Sequence, residues 1–236
     1  MLVSADYMPT EESYPRLISL AVHELRTPVG VLGGYLRMLG MDAATPLTDR
    51  QRHIVEGANK ACARLTALIA ELSDVANLDE GSIAIARLPL ELFPLVEEAA
   101  THIDIGDDRG VLVEPRGHTA GARLRGDRDR LRAALRAIFT AIAREKPGPT
   151  VVVAERLLTH VEGRAMAAIV VCEEHETVEV HAAGRAPFDE KRGGVALALA
   201  LARRVIEAHG GQLWSPAFDD ARRSKGAAIV SLPIDA

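Results

Sequence analysis

A histidine and a glutamate stand side by side at His23 and Glu24, in the stretch AVHELRTPVG. Imidazole has an ordinary pKa of about 6.5, so it can act as a nucleophile or exchange a proton near neutral pH. The adjacent carboxylate could orient a ring N–H or accept its proton. Thr27 follows one helical turn later, where its hydroxyl could hold a water or a phosphoryl oxygen near His23. Pro28 has no N–H, so the carbonyl of Glu24 loses its helical partner and we expect a bend there.

Helical geometry predicts that His23 faces solvent. At about 100° per residue, an apolar stripe falls at about 140° to 220° from His23, while Thr27 falls only about 40° away. Gly33 and Gly34 are unfavourable inside a helix, which indicates either close approach of another surface or local flexibility. The stripe that we predict to be buried comprises Ile18, Ala21, Leu25, Pro28, Leu32, Leu36 and Leu39.

A metal site is the main alternative use for the histidines. His23 lacks the second histidine four residues on that zinc-protease helices carry. His175 and His181 could ligate a metal with nearby glutamates, or they could be exposed residues that flank a strand. The glutamates concerned are Glu173, Glu174 and Glu176. We expect no metal site in this chain.

Composition bounds the class of protein. The chain has 236 residues, 48% of them hydrophobic, which is enough for one large domain or two small ones. A net charge of -5 argues against general nucleic-acid binding. The cysteines, Cys62 and Cys172, lie in apolar runs and are expected to be small buried side chains in a reducing compartment. Neither a signal peptide nor a membrane-spanning run is evident, so the sequence predicts a cytoplasmic protein.

Two long helical patterns open the chain, at about residues 13–41 and 49–78, and Thr48 can cap the second. Apolar residues recur in the second helix at alternating spacings of four and three, which is typical of a helical-bundle seam. An antiparallel hairpin buries such a seam poorly by itself. Dimerisation into a four-helix bundle is therefore expected. The seam comprises Ile54, Ala58, Ala61, Leu65, Leu68, Leu72 and Val75.

The pattern changes after Gly81 to short strands alternating with helices, which predicts an α+β domain with helices on one face of a mixed sheet. The predicted strands are 111–113, 150–154, 167–172, 177–182 and 227–232, and the predicted helices are 92–101, 129–145 and 194–209. Asp127 and Arg130 should begin a helix, and Trp214 should start a core strand. His209 should favour the dipole at a helix C-terminus, with Gly210 completing the cap.

The stretch VHELRTPVGVL resembles the H box of bacterial two-component sensor histidine kinases, and the resemblance continues through RLTALIAELSDVANLDEGSIAI. The resemblance implies that His23 is the phospho-acceptor and that Glu24 assists proton transfer. Thr27 matches the position implicated in dephosphorylating the partner response regulator. The resemblance also implies that the hairpin, residues 13–82, is a dimerisation and histidine-phosphotransfer domain, and residues 1–12, which precede the helical pattern, are expected to be an N-terminal tail.

The stretches GDRDRLRAALRAIFTAIAREKP and GGVALALALARRVIEAHGGQLW and the ending GAAIVSLPI resemble parts of the ATPase domain of the same family. The resemblance implies that residues 85–236 form an α/β sandwich, but the nucleotide-site residues of the family are missing. Ala141 stands where the family has its magnesium-binding asparagine, and alanine cannot ligate a hard cation. The stretch VCEEHETVEVHAAGRAP lacks the Asp-x-Gly-x-Gly pattern of the adenine loop. In place of the Gly-x-Gly-x-Gly phosphate loop stand Gly194, Ala196 and Ala198, and the two alanines favour a helix over a loop that presents amides. The segment between His181 and Gly193 is also too short for the usual ATP lid.

These features predict a phosphorelay protein. His23 would exchange phosphoryl groups with receiver aspartates of response regulators or of a hybrid kinase, with no cofactor of its own and with magnesium supplied at the receiver. Three alternatives stay open: an ATP-dependent kinase with a divergent nucleotide site, a response-regulator phosphatase that uses Thr27, and a scaffold without phosphotransfer.

Overall fold

The computed structural model describes residues 13–41, 46–101, 103, 109–219 and 226–235. The predicted tail at residues 1–12 and residues 42–45 of the first interhelical link lie outside the described residues. The chain divides into two compact units, one ending at Ala84 and the other beginning at Ile85. Within the described ranges, no helix is long and apolar enough to cross a membrane.

The first unit is an antiparallel helical hairpin of α1 (Ser13–Met41) and α2 (Asp49–Asp79). Both helices are present as predicted. Thr48 caps α2 through a reciprocal pair of hydrogen bonds with Gln51. The Gln51 amide donates to Thr48 Oγ1 at 3.3 Å, and the Thr48 amide donates to Gln51 Oε1 at 3.0 Å. Two of the orphan N–H groups at the start of α2 are thereby satisfied.

The two helices approach closely at Gly33. A Cβ atom on Gly33 would lie 3.3 Å from Cys62 Sγ, and that sulfur lies 3.5 Å from the carbonyl oxygen of Val29. Of the two explanations for the helical glycines, close approach therefore holds at Gly33. It does not hold at Gly34, where a Cβ would meet nothing within 4 Å.

The predicted buried stripe of α1 is wrong for the single chain. Val22 and Gly33 are buried against α2, with Val29 half-buried between them, whereas Leu25 and Leu32 are each 47% exposed. The reason is that the apolar face of α1 is wider than the face that one partner helix can cover. The predicted stripe therefore lies beside the face that contacts α2. The exposed members of the stripe are Ala21, Leu25, Pro28, Leu32 and Leu39.

The predicted seam of α2 divides in the same way. Val75 is buried, and Ala58, Leu68 and Leu72 are half-buried. The remaining members are exposed in the single chain: Ile54, Ala61 and Leu65. The hairpin therefore carries two exposed apolar stripes, one on each helix.

The second unit contains eight strands and four helices among its described residues. The strands are β1 (Leu88–Glu91), β2 (Val111–Gly117), β3 (Arg123–Gly126), β4 (Thr150–Val161), β5 (Arg164–Glu173), β6 (Gly184–Pro187), β7 (Gln212–Ala217) and β8 (Ala228–Pro233). The helices are α3 (Leu92–Ala100), α4 (Arg128–Glu145), α5 (Thr177–Ala182) and α6 (Ala196–Ala208). A mixed six-stranded sheet has the order β2-β4-β5-β8-β7-β6, and β1 and β3 form a separate pair.

Helices cover both faces of the sheet near β5. Side chains alternate along a strand, so Ile169 and Val171 point to one face and Val170 and Cys172 to the other. Helices α3, α4 and α6 pack side by side as one layer. The short helix α5 covers the opposite face, where Val180 joins Val170 and Cys172 in the core. The α/β sandwich is therefore confirmed, with a small third layer that the sequence did not predict.

One predicted strand is wrong. Residues 177–182 form α5, preceded by a 3-10 turn at Glu174–Glu176. The alternation in TVEVHA suggested a strand, but β4 and β8 already pair with both edges of β5. No place beside β5 is left for another strand. Strands β1, β3 and β6 were missed because each has only four residues, most of them exposed or half-buried.

Candidate functional site

The His23 cluster lies on the solvent side of α1. His23, Glu24 and Thr27 are all exposed, while the neighbouring Val22 is 3% exposed and packs toward α2. Packing on α2 fixes the rotation of the helix, and that rotation directs His23 away from the hairpin. The predicted exposure of the histidine is confirmed. An exposed imidazole beside a carboxylate can attack an electrophile carried by another protein.

Two of the stretches that resemble the family's nucleotide site contact each other in the second unit, at Ala141 and Gly193. Ala141, in α4, is completely buried. Gly193 has a φ of +61°, and a Cβ added to it would lie 2.5 Å from Ala141 Cα and 2.9 Å from Ala141 O. The backbone at Gly193 therefore seals the position at which the resemblance would place a magnesium ligand.

The segment around Gly193 is fixed to α4 and to the sheet. The amide of Gly193 donates to Glu145 Oε1 at 2.9 Å. Arg192 is 2% exposed, its guanidinium lies 3.9 Å from the Phe188 ring centroid, and its Nη1 donates to the Ala227 carbonyl at 3.2 Å. Burial lowers the pKa of Arg192 to about 10, although the nearby Glu145 and Asp189 charges oppose the shift.

The stretch that resembles the phosphate loop is largely helical. Helix α6 begins at Ala196, so Ala196 and Ala198 lie in its first turn, as their helix propensity predicts. Gly194 precedes the helix with a φ of +65°. In this stretch Gly193 and Gly194 retain the left-handed backbone that such loops use to present amides.

The stretch at the expected position of the adenine loop, residues 171–187, begins with an ion-pair cluster. Glu173, at the end of β5, pairs with Lys146 Nζ at 3.0 Å through Oε2 and accepts from Thr150 Oγ1 at 2.7 Å through Oε1. Burial would raise the pKa of Glu173, but the hydrogen bonds from Thr150 and Lys146 hold it below its ordinary value. The sequence did not predict this cluster, because Glu173 is distant in the chain from Lys146 and Thr150 and approaches them only in the folded sheet. No regular spacing in the sequence indicates such a cluster.

The metal alternative for the distal histidines is not supported. No group of three or more metal-ligating side chains occurs among the residues that the structure describes. His181 lies on α5, and its Nε2 is 3.0 Å from Glu155 Oε2 on β4. His175 lies in the 3-10 turn before α5. The strand expected at residues 177–182, beside these histidines, is replaced by α5.

His209 caps α6 as a buried neutral ring and not as a charge that favours the helix dipole. Its Nδ1 lies 2.6 Å from the Val205 carbonyl, and its Nε2 accepts from the Asp127 amide at 2.9 Å. This pattern requires the neutral tautomer with the proton on Nδ1. Burial lowers the pKa of His209. The predictions that Asp127 begins α4 and that Gly210 completes the α6 cap are confirmed.

Comparison with known proteins identifies the first unit. Residues 16–81 match the model of the His Kinase A (phospho-acceptor) domain. The chain is 28% identical to Sensor protein DivL of Caulobacter vibrioides over 199 residues, which cover 80% of this chain and 24% of DivL. It is 26% identical to the Probable sensor histidine kinase TcrY of Mycobacterium tuberculosis over 237 residues, 96% of this chain and 47% of TcrY. The chain thus spans less than half the length of these curated relatives.

Solved structures share the fold of both units. Full-length ShkA, crystallised in complex with AMPPNP, superposes with a TM-score of 0.66 at 18% identity, covering 93% of this chain and 45% of ShkA. The Acinetobacter baumannii histidine kinase AdeS superposes with a TM-score of 0.53 at 16% identity, covering 90% of this chain and 97% of AdeS. Residues 16–81 thus belong to the His Kinase A (phospho-acceptor) domain family, and the chain as a whole, a helical hairpin followed by an α/β domain, is similar in sequence and fold to two-component sensor histidine kinases.

Proposed function

We propose that this chain is a phosphorelay protein whose His23 exchanges phosphoryl groups with receiver aspartates and which does not use ATP. The observation that carries the proposal is a contrast between its two units. The phospho-acceptor cluster is intact and exposed, whereas Ala141 is buried against the backbone of Gly193. The proposed partners are response-regulator receivers or a hybrid kinase, with magnesium supplied at the receiver.

The proposed transfer needs few groups from this chain. The lone pair of one ring nitrogen of His23 attacks the phosphorus of a receiver aspartyl phosphate. An N–P bond forms as the P–O bond breaks, and the aspartyl carboxylate leaves with the bonding pair. Glu24 accepts a hydrogen bond, or the proton itself, from the other ring nitrogen. Thr27 holds a phosphoryl oxygen, and the reverse sequence delivers the group to a second receiver aspartate.

The packing of the second unit supports a function without nucleotide. The backbone of Gly193 fills the space that an asparagine side chain at position 141 would need. With alanine at that position, α4 offers no oxygen ligand there for magnesium. Helix α6 begins at Ala196, so two methyl groups stand where phosphate-binding loops use glycine. At the expected position of the adenine loop, Glu173 is paired with Lys146 instead of belonging to an Asp-x-Gly-x-Gly pattern. The α/β domain would then stabilise the protein or help to dock its partner.

A homodimer is part of the proposal. The exposed apolar stripes of α1 and α2 include Leu25, Leu32 and Leu65, which are 47%, 47% and 45% exposed in the single chain. Two hairpins that pair through these stripes would complete a four-helix bundle. Because His23 lies about 180° from the stripe, it would stay exposed in such a dimer. A cytoplasmic location is also proposed, supported by the free thiols of Cys62 and Cys172.

An ATP-dependent kinase with a divergent nucleotide site is the second candidate. It is favoured by the adjacent carboxylate of Glu24, which is most useful when His23 must be activated toward ATP, and by relatives named as kinases. ShkA, which shares the fold, was crystallised with AMPPNP. A phosphatase would depend on Thr27 and not on His23, and a scaffold would depend on neither side chain.

Transfer from a receiver tests the proposal. A receiver domain, labelled beforehand on its aspartate with a small phosphoryl donor, is mixed with the full chain, with H23Q and with T27A. We expect acid-labile, base-stable label on the full chain and none on H23Q, because a phosphoramidate forms only at His23. Loss of label from the receiver that persists in H23Q but not in T27A would instead indicate a phosphatase. Receivers unaffected by any of the three proteins would contradict the proposal.

A further inference from the structure

A buried lysine joins three elements at one end of the second unit. Lys146 follows α4 directly and is 6% exposed. Its Nζ lies 3.0 Å from Oε2 of Glu173, the last residue of β5, and 3.8 Å from Oε2 of Glu176 in the 3-10 turn. Glu176 is itself 6% exposed. The ammonium group of Lys146 therefore lies between the carboxylates of Glu173, at the end of β5, and Glu176, in the turn that follows it.

These contacts lie where the chain leaves β5 and passes to the face of the sheet that α5 covers. Glu173 is on the α4 side, because it alternates with Cys172, which points to the α5 side. The segment of residues 174–182 then turns around the end of β5. Val180 anchors its far end in the core, and His181 contacts Glu155. Lys146 therefore holds the near end of a segment whose far end is held by packing.

Repulsion between two carboxylates makes the near end of residues 174–182 depend on the positive charge of Lys146. Glu173 and Glu176 approach the same ammonium group, so without Lys146 two half-buried or buried carboxylates would face each other across it. Like charges in such a site repel strongly, and breaking a buried ion pair by removing one partner is destabilising. Thr150 also donates to Glu173, at Oε1, but its hydroxyl brings no charge to offset the two carboxylates.

We propose that Lys146 is a latch, a built-in cation that keeps residues 174–182 folded around the end of β5 without a ligand. Loss of the Lys146 charge releases this segment while the rest of the unit stays folded. The latch goes beyond the proposed phosphotransfer and does not depend on it. It concerns the second unit only.

Hydrogen exchange followed by mass spectrometry on the full chain tests the latch. The variants are K146M, which removes the ammonium, E173Q, which weakens the pair from the other side, and the double variant K146M/E173Q. We expect amides of residues 174–182 to exchange at least about tenfold faster in K146M, while α4 and β8 keep their protection. The double variant should recover part of the lost protection, because neutralising Glu173 removes the repulsion between the two carboxylates, although Glu176 still lacks the Lys146 charge. K191M is the matched control, since Lys191 is exposed in the same unit, and it should exchange as the wild type does.

Two results would overturn the latch. Unchanged exchange of residues 174–182 in both K146M and E173Q would mean that packing of Val180 suffices. Equal loss of protection in K146M and in the double variant would assign Lys146 a packing role without an ionic one. If K146M unfolds the whole unit, the comparison of E173Q with the wild type decides in its place. An added MgATP arm is read separately: protection of the wild type by MgATP would contradict the proposed function and leave the latch comparison intact.

Discussion

Substitution of Gly193 by alanine tests whether the nucleotide cleft is closed by direct packing. The new Cβ would lie 2.5 Å from Ala141 Cα and 2.9 Å from Ala141 O, and both of those atoms belong to the backbone of a buried helix. The φ of +61° is also unfavourable for alanine. Gly194, the next residue, has a nearly identical φ of +65°, but a Cβ there would meet only Arg144 Nη1, at 4.0 Å. G194A is therefore a matched control for the backbone conformation.

The expected magnitudes follow from these two effects. The left-handed conformation costs about 1 to 2 kcal/mol for a residue with a Cβ, and this applies to both variants. Overpacking against a fixed backbone adds about 1 to 3 kcal/mol in G193A alone. For a unit of this size, about 1 kcal/mol lowers Tm by roughly 3 °C, so we expect a fall of roughly 10 °C for G193A and roughly 4 °C for G194A.

Differential scanning calorimetry of the full chain measures both falls in Tm. The unfolding transition of the second unit is followed in the wild type, G193A and G194A under the same conditions. The difference between the two variants reports the contact between residue 193 and Ala141. Equal falls in Tm would refute the close packing of that loop on α4, and with it the physical reason for excluding a magnesium ligand from that position.

Three further outcomes are expected. Burial lowers the pKa of His209 below its ordinary value of about 6.5, so on acidification the unfolded chain binds a proton before the folded chain does. The contribution of this histidine to stability is therefore present above about pH 6.5 and falls as the pH decreases, by at most about 1.4 kcal/mol per pH unit. Urea unfolding from pH 7.5 to 5 should show this slope, and H209Q should flatten it. L32E should convert a dimer into a monomer in light scattering, whereas L88E, which charges an exposed leucine of the other unit, should leave the dimer unchanged. Burial raises the pKa of Cys172 to about 12, so iodoacetamide at pH 8 should label it only after unfolding.

Local sequence signals predicted the hairpin and the exposure of its histidine. The limits of α1 and α2, the Thr48 cap and the solvent orientation of His23 depend on helical period and capping, which act over a few residues. The helix predicted at residues 194–209 is present as α6, but it begins at Ala196 because Gly194 lies before it with a positive φ. The H box could be recognised because its reactive residues lie within five positions of one another.

Features that depend on distant partners could not be predicted in this way. Apolar residues in α1 exceed what one helix can cover, and only the position of α2 decides which of them, such as Val22 rather than Leu25, are buried in the chain. Residues 177–182 alternate like a strand but find both edges of β5 occupied. Lys146 and Glu173 are far apart in sequence and meet because β4 and β5 bring them together.

The most direct test of the central claim compares two donors on one protein. The purified full chain is incubated with MgATP labelled at the γ-phosphate and, in parallel, with a receiver domain labelled at its aspartate, and H23Q is carried through both arms. We predict label on His23 from the receiver, none from ATP, and none on H23Q. Label from ATP that is absent in H23Q would contradict this prediction, and would mean that the second unit binds nucleotide despite Ala141, Ala196 and Ala198.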